Sequence, residues 1–330
     1  MIVEQLKRFK EKLRLHRLFM KEACRFWHLT VKYNASMNTD ADRPKMEYTI
    51  LRLNHTIEKG MSMRNPRKGF GQQKVVNVME RLQRYQELYG KQDARFFAYP
   101  LSTIRSYIDY TEQSGVEIPH IKAQFEQLCA ATGHVGVRGH AGIAEVAGRD
   151  IQEKAKGSFA DLLYSRHSIR YFADRKVEHA LIDEALRLAQ RTPSACNRQG
   201  WMTHVYEGDE SVRLVRWQGG ANGFEEEMRC TILVTANLKA FLSHETHQAY
   251  VDGGLYAMNL INALHHLGLA TMPLSCGFQS AKLSQLAAFG IPENEVPIVI
   301  IGVGHLQERF NVAVSERKDI TLTNRYHTNA

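Results

Sequence analysis

Three short segments carry side chains whose types and spacing could do chemistry. The first is Ser165-Arg166-His167-Ser168-Ile169-Arg170. Arg166 and Arg170 stand four apart with Ser168 between them, a set that can present guanidinium forks and a hydroxyl to a phosphate. The second is Thr192-Pro193-Ser194-Ala195-Cys196-Asn197-Arg198-Gln199-Gly200-Trp201. Its Ser194, Asn197 and Gln199 offer donors and acceptors to a planar polar ring, although the same composition suits a plain turn from helix to strand. The third is Thr271-Met272-Pro273-Leu274-Ser275-Cys276-Gly277-Phe278. Backbone N–H groups there can approach a ligand closely, with Gly277 easing the path.

Other chemistries find less support. The five cysteines, Cys24, Cys129, Cys196, Cys230 and Cys276, are scattered and form no CxxC pair, which speaks against a disulfide framework or a cysteine zinc site. His244 with His247, and His265 with His266, lack a carboxylate or cysteine at metal-ligand spacing and read as solvated or capping side chains. No metal is expected. The sequence has no P-loop pattern, no GxGxxG register and no GxSxG nucleophile turn.

These segments need elements to hold them, and the composition allows for two units. The 330 residues are 44% hydrophobic and 24% charged, an ordinary globular balance. The net charge of +8 is uneven, with +9 in residues 1–150 and −1 in residues 151–330. That division suggests a basic, mostly helical extension over 1–150 and a sheet-containing domain over 151–330. In the first part, helical apolar spacing runs through 1–33, 45–59, 72–90 and 118–131, with a loop at 61–71 and a glycine-dense join at 133–148. In the second, a helix over 177–191 precedes a strand over 201–207. Short β-branched runs at 231–236 and 296–303 read as buried strands, and a helix over 250–267 lies between them. The sum is an α+β arrangement.

Residues 1–33 contain nine basic and three acidic side chains, and Ile2, Leu6, Phe9, Leu13, Met20 and Trp27 fall near one helical face. Such a helix can touch an anionic membrane surface. The preferred reading is a helix packed on its own protein with a solvated basic face; no nucleic-acid signature accompanies it. With no long apolar run and no secretory leader pattern, a cytoplasmic location is expected.

In this order, the three segments resemble the FMN-dependent nitroreductase family over about residues 160–330. The Arg166–Arg170 stretch is similar to that family's opening flavin signature, and Pro193–Trp201 to its P-S-x-x-N-x-Q-P-W loop. Thr271–Phe278 is similar to the loop beside the flavin ring, and residues 315–323 to the family's tail. The resemblance implies a small antiparallel sheet wrapped by helices in an intertwined homodimer. It implies FMN held by Arg166, His167, Ser168 and Arg317 around the phosphate and ribityl chain, with Arg170 by the pyrimidine edge. Pro193, Ser194, Asn197 and Gln199 would come from the partner subunit, and Pro273, Leu274 and Ser275 would lie near the ring. The narrow face of Gly253, Gly254 and Ala257 would make the central dimer contact.

The implied activity is hydride transfer from NADH or NADPH through FMN to a quinone, a nitroaromatic or a specific metabolite, with no side chain required as acid or base. Two alternatives stand beside it: an FMN-dependent dehydrogenase or oxidase of a biosynthetic intermediate, and a flavin-free binding module. Gly200 replaces the family's proline, and Ser315 stands where many members have a second basic phosphate contact, leaving Lys318 or Arg309 as substitutes. Cys196 and Cys276 read as space-fillers rather than a redox pair. Residues 53–60 with 65–71 resemble extensions on nitroreductase-like proteins of bacterial surface-polysaccharide gene clusters. The loop at 61–71 is either a lid for the flavin or plain scaffold.

Overall fold

The computed structural model describes residues 2–33, 40, 42–90, 94–137, 141–242, 245, 247–278 and 280–327. Two compact units emerge, one from Met1–Ala144 with Ala313–Ala330, the other from Glu145–Val312. The C-terminal tail, expected with the second domain, therefore groups with the first.

The first unit is helical. Its first helix, α1 (Ile2–Tyr33), does not bury the apolar face expected to pack: Leu6, Phe9, Leu13, Met20 and Trp27 are 43–67% exposed. A bundle follows. Helix α2 (Arg43–Met61) starts where Asp42 accepts a hydrogen bond from Lys45 N (3.1 Å) and Pro44 fills the first turn. Helix α3 (Gln72–Tyr89) opens after Gly71, at φ 72°, and α5 (Pro119–Thr132) starts on proline and ends on left-handed Gly133. Between them α4 (Ala98–Gln113) is not evident in the sequence, because its Thr, Tyr and Ile residues lower helix propensity. Burial of Leu101, Ile104, Tyr107 and Ile108 in the core shared with α2 and α5 outweighs that deficit.

The 61–71 loop is pinned to this core. Phe70 meets Tyr107 and Tyr110 edge-on, Tyr107 donates its hydroxyl to the Phe70 carbonyl, and a Cβ on Gly60 would lie 2.1 Å from the Phe70 ring. The tail is held by a buried carboxylate. Glu58, 0% exposed, accepts from Tyr99 Oη (2.8 Å), Gly142 N (3.1 Å) and Ser315 N (3.4 Å). Short α12 (Ile320–Thr323) closes the tail.

The glycine-dense stretch is no flexible join over its described part. It includes strand β1 (Ile143–Ala147), which pairs with β6 (Arg309–Ala313) in a two-stranded ribbon. Gly148 then opens α6 (Gly148–Ala155) where a Cβ would sit 2.1 Å from the Gln307 carbonyl.

The second unit is built on a four-stranded antiparallel sheet in the order β2 (Trp201–Glu207), β3 (Cys230–Asn237), β5 (Glu295–His305), β4 (Leu269–Ser275). Helices α8 (His179–Ala189) and α10 (Gln248–His266) cover one face, enclosing Ile182, Ala185, Ile232, Val234, Leu260 and Ile301. Helices α7 (Phe159–Ser165), α9 (Gly208–Gln218) and α11 (Ser280–Leu283) complete it. The antiparallel sheet wrapped by helices is the α+β arrangement expected.

Candidate functional site

The site grows from the open edge of β4. The third chemical segment, similar in sequence to a loop beside the flavin ring, is largely the edge strand itself: Thr271–Ser275 pair with Val303–Val299. On the free side Thr271 accepts from Ile169 N (2.9 Å), within a parallel bridge between Ser168 and Thr271. Two residues on, Pro273 has no N–H to continue that pairing, which is the place for proline in a sheet. Ser275 accepts from Gln218 Nε2 at 2.9 Å, leaving the edge unpaired between the two contacts. One bridge thus brings Ser168 against Thr271, about a hundred residues away in the chain, with Arg166, His167 and Arg170 within two residues of that contact on one segment and Pro273 two residues along on the other.

Helix α10 supports this segment from behind. Ser165 Oγ lies 2.9 Å from Nε2 of His265, which is 3% exposed. Read from sequence as solvated or capping, His265 is instead a core residue. Burial, reinforced by the nearby charges of Arg166 and His167, pushes its pKa down to about 4. Its neighbour His266 places Nδ1 3.0 Å from the Ala155 carbonyl. His244 lies outside the described residues. Arg166, His167 and Ser168 are half-buried, while Arg170 is 5% exposed with its guanidinium carbon 6.0 Å from the centre of the Phe224 ring.

The second segment is a different kind of structure. Cys196, Asn197 and Gln199 adopt φ of 51°, 55° and 49°, a left-handed run without glycine. Each such residue costs on the order of 1 kcal/mol. Three anchors hold the loop: Ala195 N donates to the buried Asp252 carboxylate (3.1 Å), Ser194 Oγ accepts from Gln199 N (2.9 Å), and Arg198 meets Glu245 in a two-pronged pair at 2.7 Å each. Gly200, in place of the family's proline, fits under Ala240 and Phe241, where a Cβ would lie 2.9 Å from each. Pro193, Asn197 and Gln199 remain exposed, and Ser194 is half-buried. These anchors run to α10, to Glu245 and within the loop itself. They do not join Ser194, Asn197 and Gln199 to the β4 edge in the way the first and third segments are joined to each other.

Cys276 is buried and its thiol is pushed up to about 12, while Cys196 is exposed. A thiol so rarely ionised has little redox reactivity. Arg317 lies in the first unit, where its guanidinium bonds the Ser315 carbonyl. The substitutes for Ser315 are engaged: Lys318 lies 4.3 Å above the Tyr48 ring and Arg309 pairs with Glu145 at 2.8 Å. Of the small face on α10, Gly253 packs on Ile298 and Ala257 is buried, so only Gly254 opens outward, beside exposed Val251, Leu255 and Met258. Sequence reasoning missed Asp252, Glu245 and Gln218. The one available signal was Asp252 beside two glycines, the single carboxylate in its helix.

Residues 163–305 match the sequence model of the Nitroreductase family. This stretch is a nitroreductase-family domain. A relative in Archaeoglobus fulgidus, named for NADH dehydrogenase and NAD(P)H nitroreductase activity, is 27% identical over 44% of this chain and 83% of its own length. Iodotyrosine deiodinase 1 of Pongo abelii is 22% identical over 51% of this chain and 68% of its own. Among solved structures, a nitroreductase in complex with FMN from Exiguobacterium sibiricum aligns at TM-score 0.46 and 18% identity, covering 52% of this chain and 97% of the other.

Proposed function

We propose that the second unit is an FMN-dependent oxidoreductase that takes reducing equivalents from NADH or NADPH and passes them to a small-molecule acceptor, a quinone, nitroaromatic or specific metabolite. The bridge between Ser168 and Thr271 supports this reading, because it sets a segment whose arginines and serine suit a phosphate against the edge of β4. The donor set fits the cofactor: the Arg166 guanidinium and the Ser168 hydroxyl suit a phosphate and its polyol chain, and Arg170 suits an electron-rich ring edge. When bound, FMN would supply the two-electron chemistry.

The chain's own groups bind and orient. Arg166, His167 and Ser168 would hold the phosphate end of FMN, and Arg170 would offer positive charge to its electron-rich ring edge. The strand edge of Pro273, Leu274 and Ser275 would border the ring and shield it from water. The strained loop offers Pro193, Ser194, Asn197 and Gln199 across a homodimer formed on the exposed apolar side of α10, where Tyr250, Val251, Leu255 and Met258 are 41–51% exposed.

The test is the visible spectrum of the purified protein, followed by anaerobic addition of NADH or NADPH. A flavin spectrum that bleaches supports the reading; colourless protein that fails to take up added FMN overturns it. Arg166→Ala is expected to weaken FMN binding by roughly one to two orders of magnitude, measured by fluorescence titration, with the melting curve of the apoprotein retained.

A further inference from the structure

Helix α1 is amphipathic in a way the rest of the first unit does not use. At 100° per residue, Leu6, Phe9, Leu13, Met20 and Trp27 fall within about 60° of arc. They are 54%, 63%, 43%, 51% and 67% exposed. What burial the helix has lies on the other side, where Leu15, Leu18 and Glu22 are half-buried. The apolar stripe is therefore turned to solvent. Lys7, Lys10, Arg14, Arg17 and Lys21, all exposed, occupy the adjoining arc, and Lys12 lies beyond the other edge. The acidic residues Glu4, Glu11 and Glu22 stand opposite the stripe.

We infer that α1 is an interfacial helix that lays its Leu6–Trp27 stripe into an anionic lipid surface, with the flanking lysines and arginines against the headgroups. Charge selects this occupant. A second copy of α1 would bring basic flanks against basic flanks, and a nucleic acid would leave five large apolar side chains without an apolar phase. An anionic bilayer satisfies both the stripe and its flank. No helix among the described residues is long and apolar enough to cross a membrane, so the contact is with one leaflet.

The full-length protein is sedimented with vesicles of pure phosphatidylcholine and with vesicles in which part of it is replaced by phosphatidylglycerol. Binding is expected to rise with the anionic lipid and to fall with added salt. Lys10→Gln and Lys21→Gln should each lower the partition constant about fivefold. Phe9→Ala and Trp27→Ala should each lower it on the order of tenfold. Trp27→Phe should retain binding but remove the fluorescence component that brominated lipid quenches, a readout that needs no destabilising change. Equal sedimentation with both vesicles, no sedimentation, or loss with the lysine variants but not the aromatic ones overturns the inference. So does a concentration-dependent oligomer that Phe9→Ala dissolves, which would give the stripe to a second copy.

Discussion

Two loops of this protein look alike in sequence and are opposite in structure. Residues 61–71 and 192–200 are both polar, contain proline and follow a helix. In the first, the left-handed positions are Gly69 and Gly71, where such a backbone is almost free, and Phe70 ends in the core of its own unit. In the second, the left-handed positions are Cys196, Asn197 and Gln199, where it is costly, and all three side chains are exposed. A loop that relieves its turns with glycine and buries its aromatic is scaffold. One that keeps strain and shows its polar groups, held by Asp252 and Glu245, has the profile of a binding loop.

This contrast can be tested from the largest effect downward. Phe70→Ala should cost the first unit about 3 kcal/mol, because an aromatic anchored on Tyr107 and Tyr110 leaves a cavity. Chemical denaturation should show that loss while FMN affinity stays unchanged; loss of flavin with unchanged stability would instead make 61–71 a lid.

In the same unit as the second loop, but against Ser165, His265 is held neutral, with its folded pKa near 4 against 6.5 for the free side chain. The unfolded chain then takes up the proton first as pH falls. The stabilisation is complete above about pH 6.5, declines through the window down to pH 4, and is worth about 3 kcal/mol in full. Urea midpoints at pH 7 and pH 4.5 should differ more for the wild type than for His265→Gln. Equal differences would show that the histidine does not contribute.

The smallest effect is the most specific to the comparison. Cys196→Gly should raise stability by about 1 kcal/mol by relieving one left-handed residue. The matching Gly71→Ala change, at φ 72°, should lower it by a similar amount. Paired thermal melts that move in the same direction would remove the distinction between the loops.

Much of the fold is legible in the sequence, for physical reasons. The helices at 43–61, 72–89 and 119–132 announce themselves through apolar period and end signals, since both are local. Strands β3 and β5 show as β-branched runs because successive residues, 230–236 and 300–304, are buried on both sides of the strand. The three chemical segments stand out by residue type. Strand β1 and helix α4 do not, because the first is short and glycine-flanked and the second forms through contacts its own propensity does not favour. The fate of the α1 stripe is not legible either, because amphipathicity gives a helix an apolar side without saying what lies against it.

The sequence alone determined which residue types could meet a phosphate and a ring, and that a sheet domain would carry them, because periodicity and side-chain chemistry are properties of the chain itself. Only the tertiary structure decided that Ser168 would meet Thr271, that Glu58 would be buried on the tail, that His265 would be neutral and that 194–199 would be strained. Each of those depends on groups far apart in sequence, or on the dielectric and steric surroundings that exist only once they are packed together.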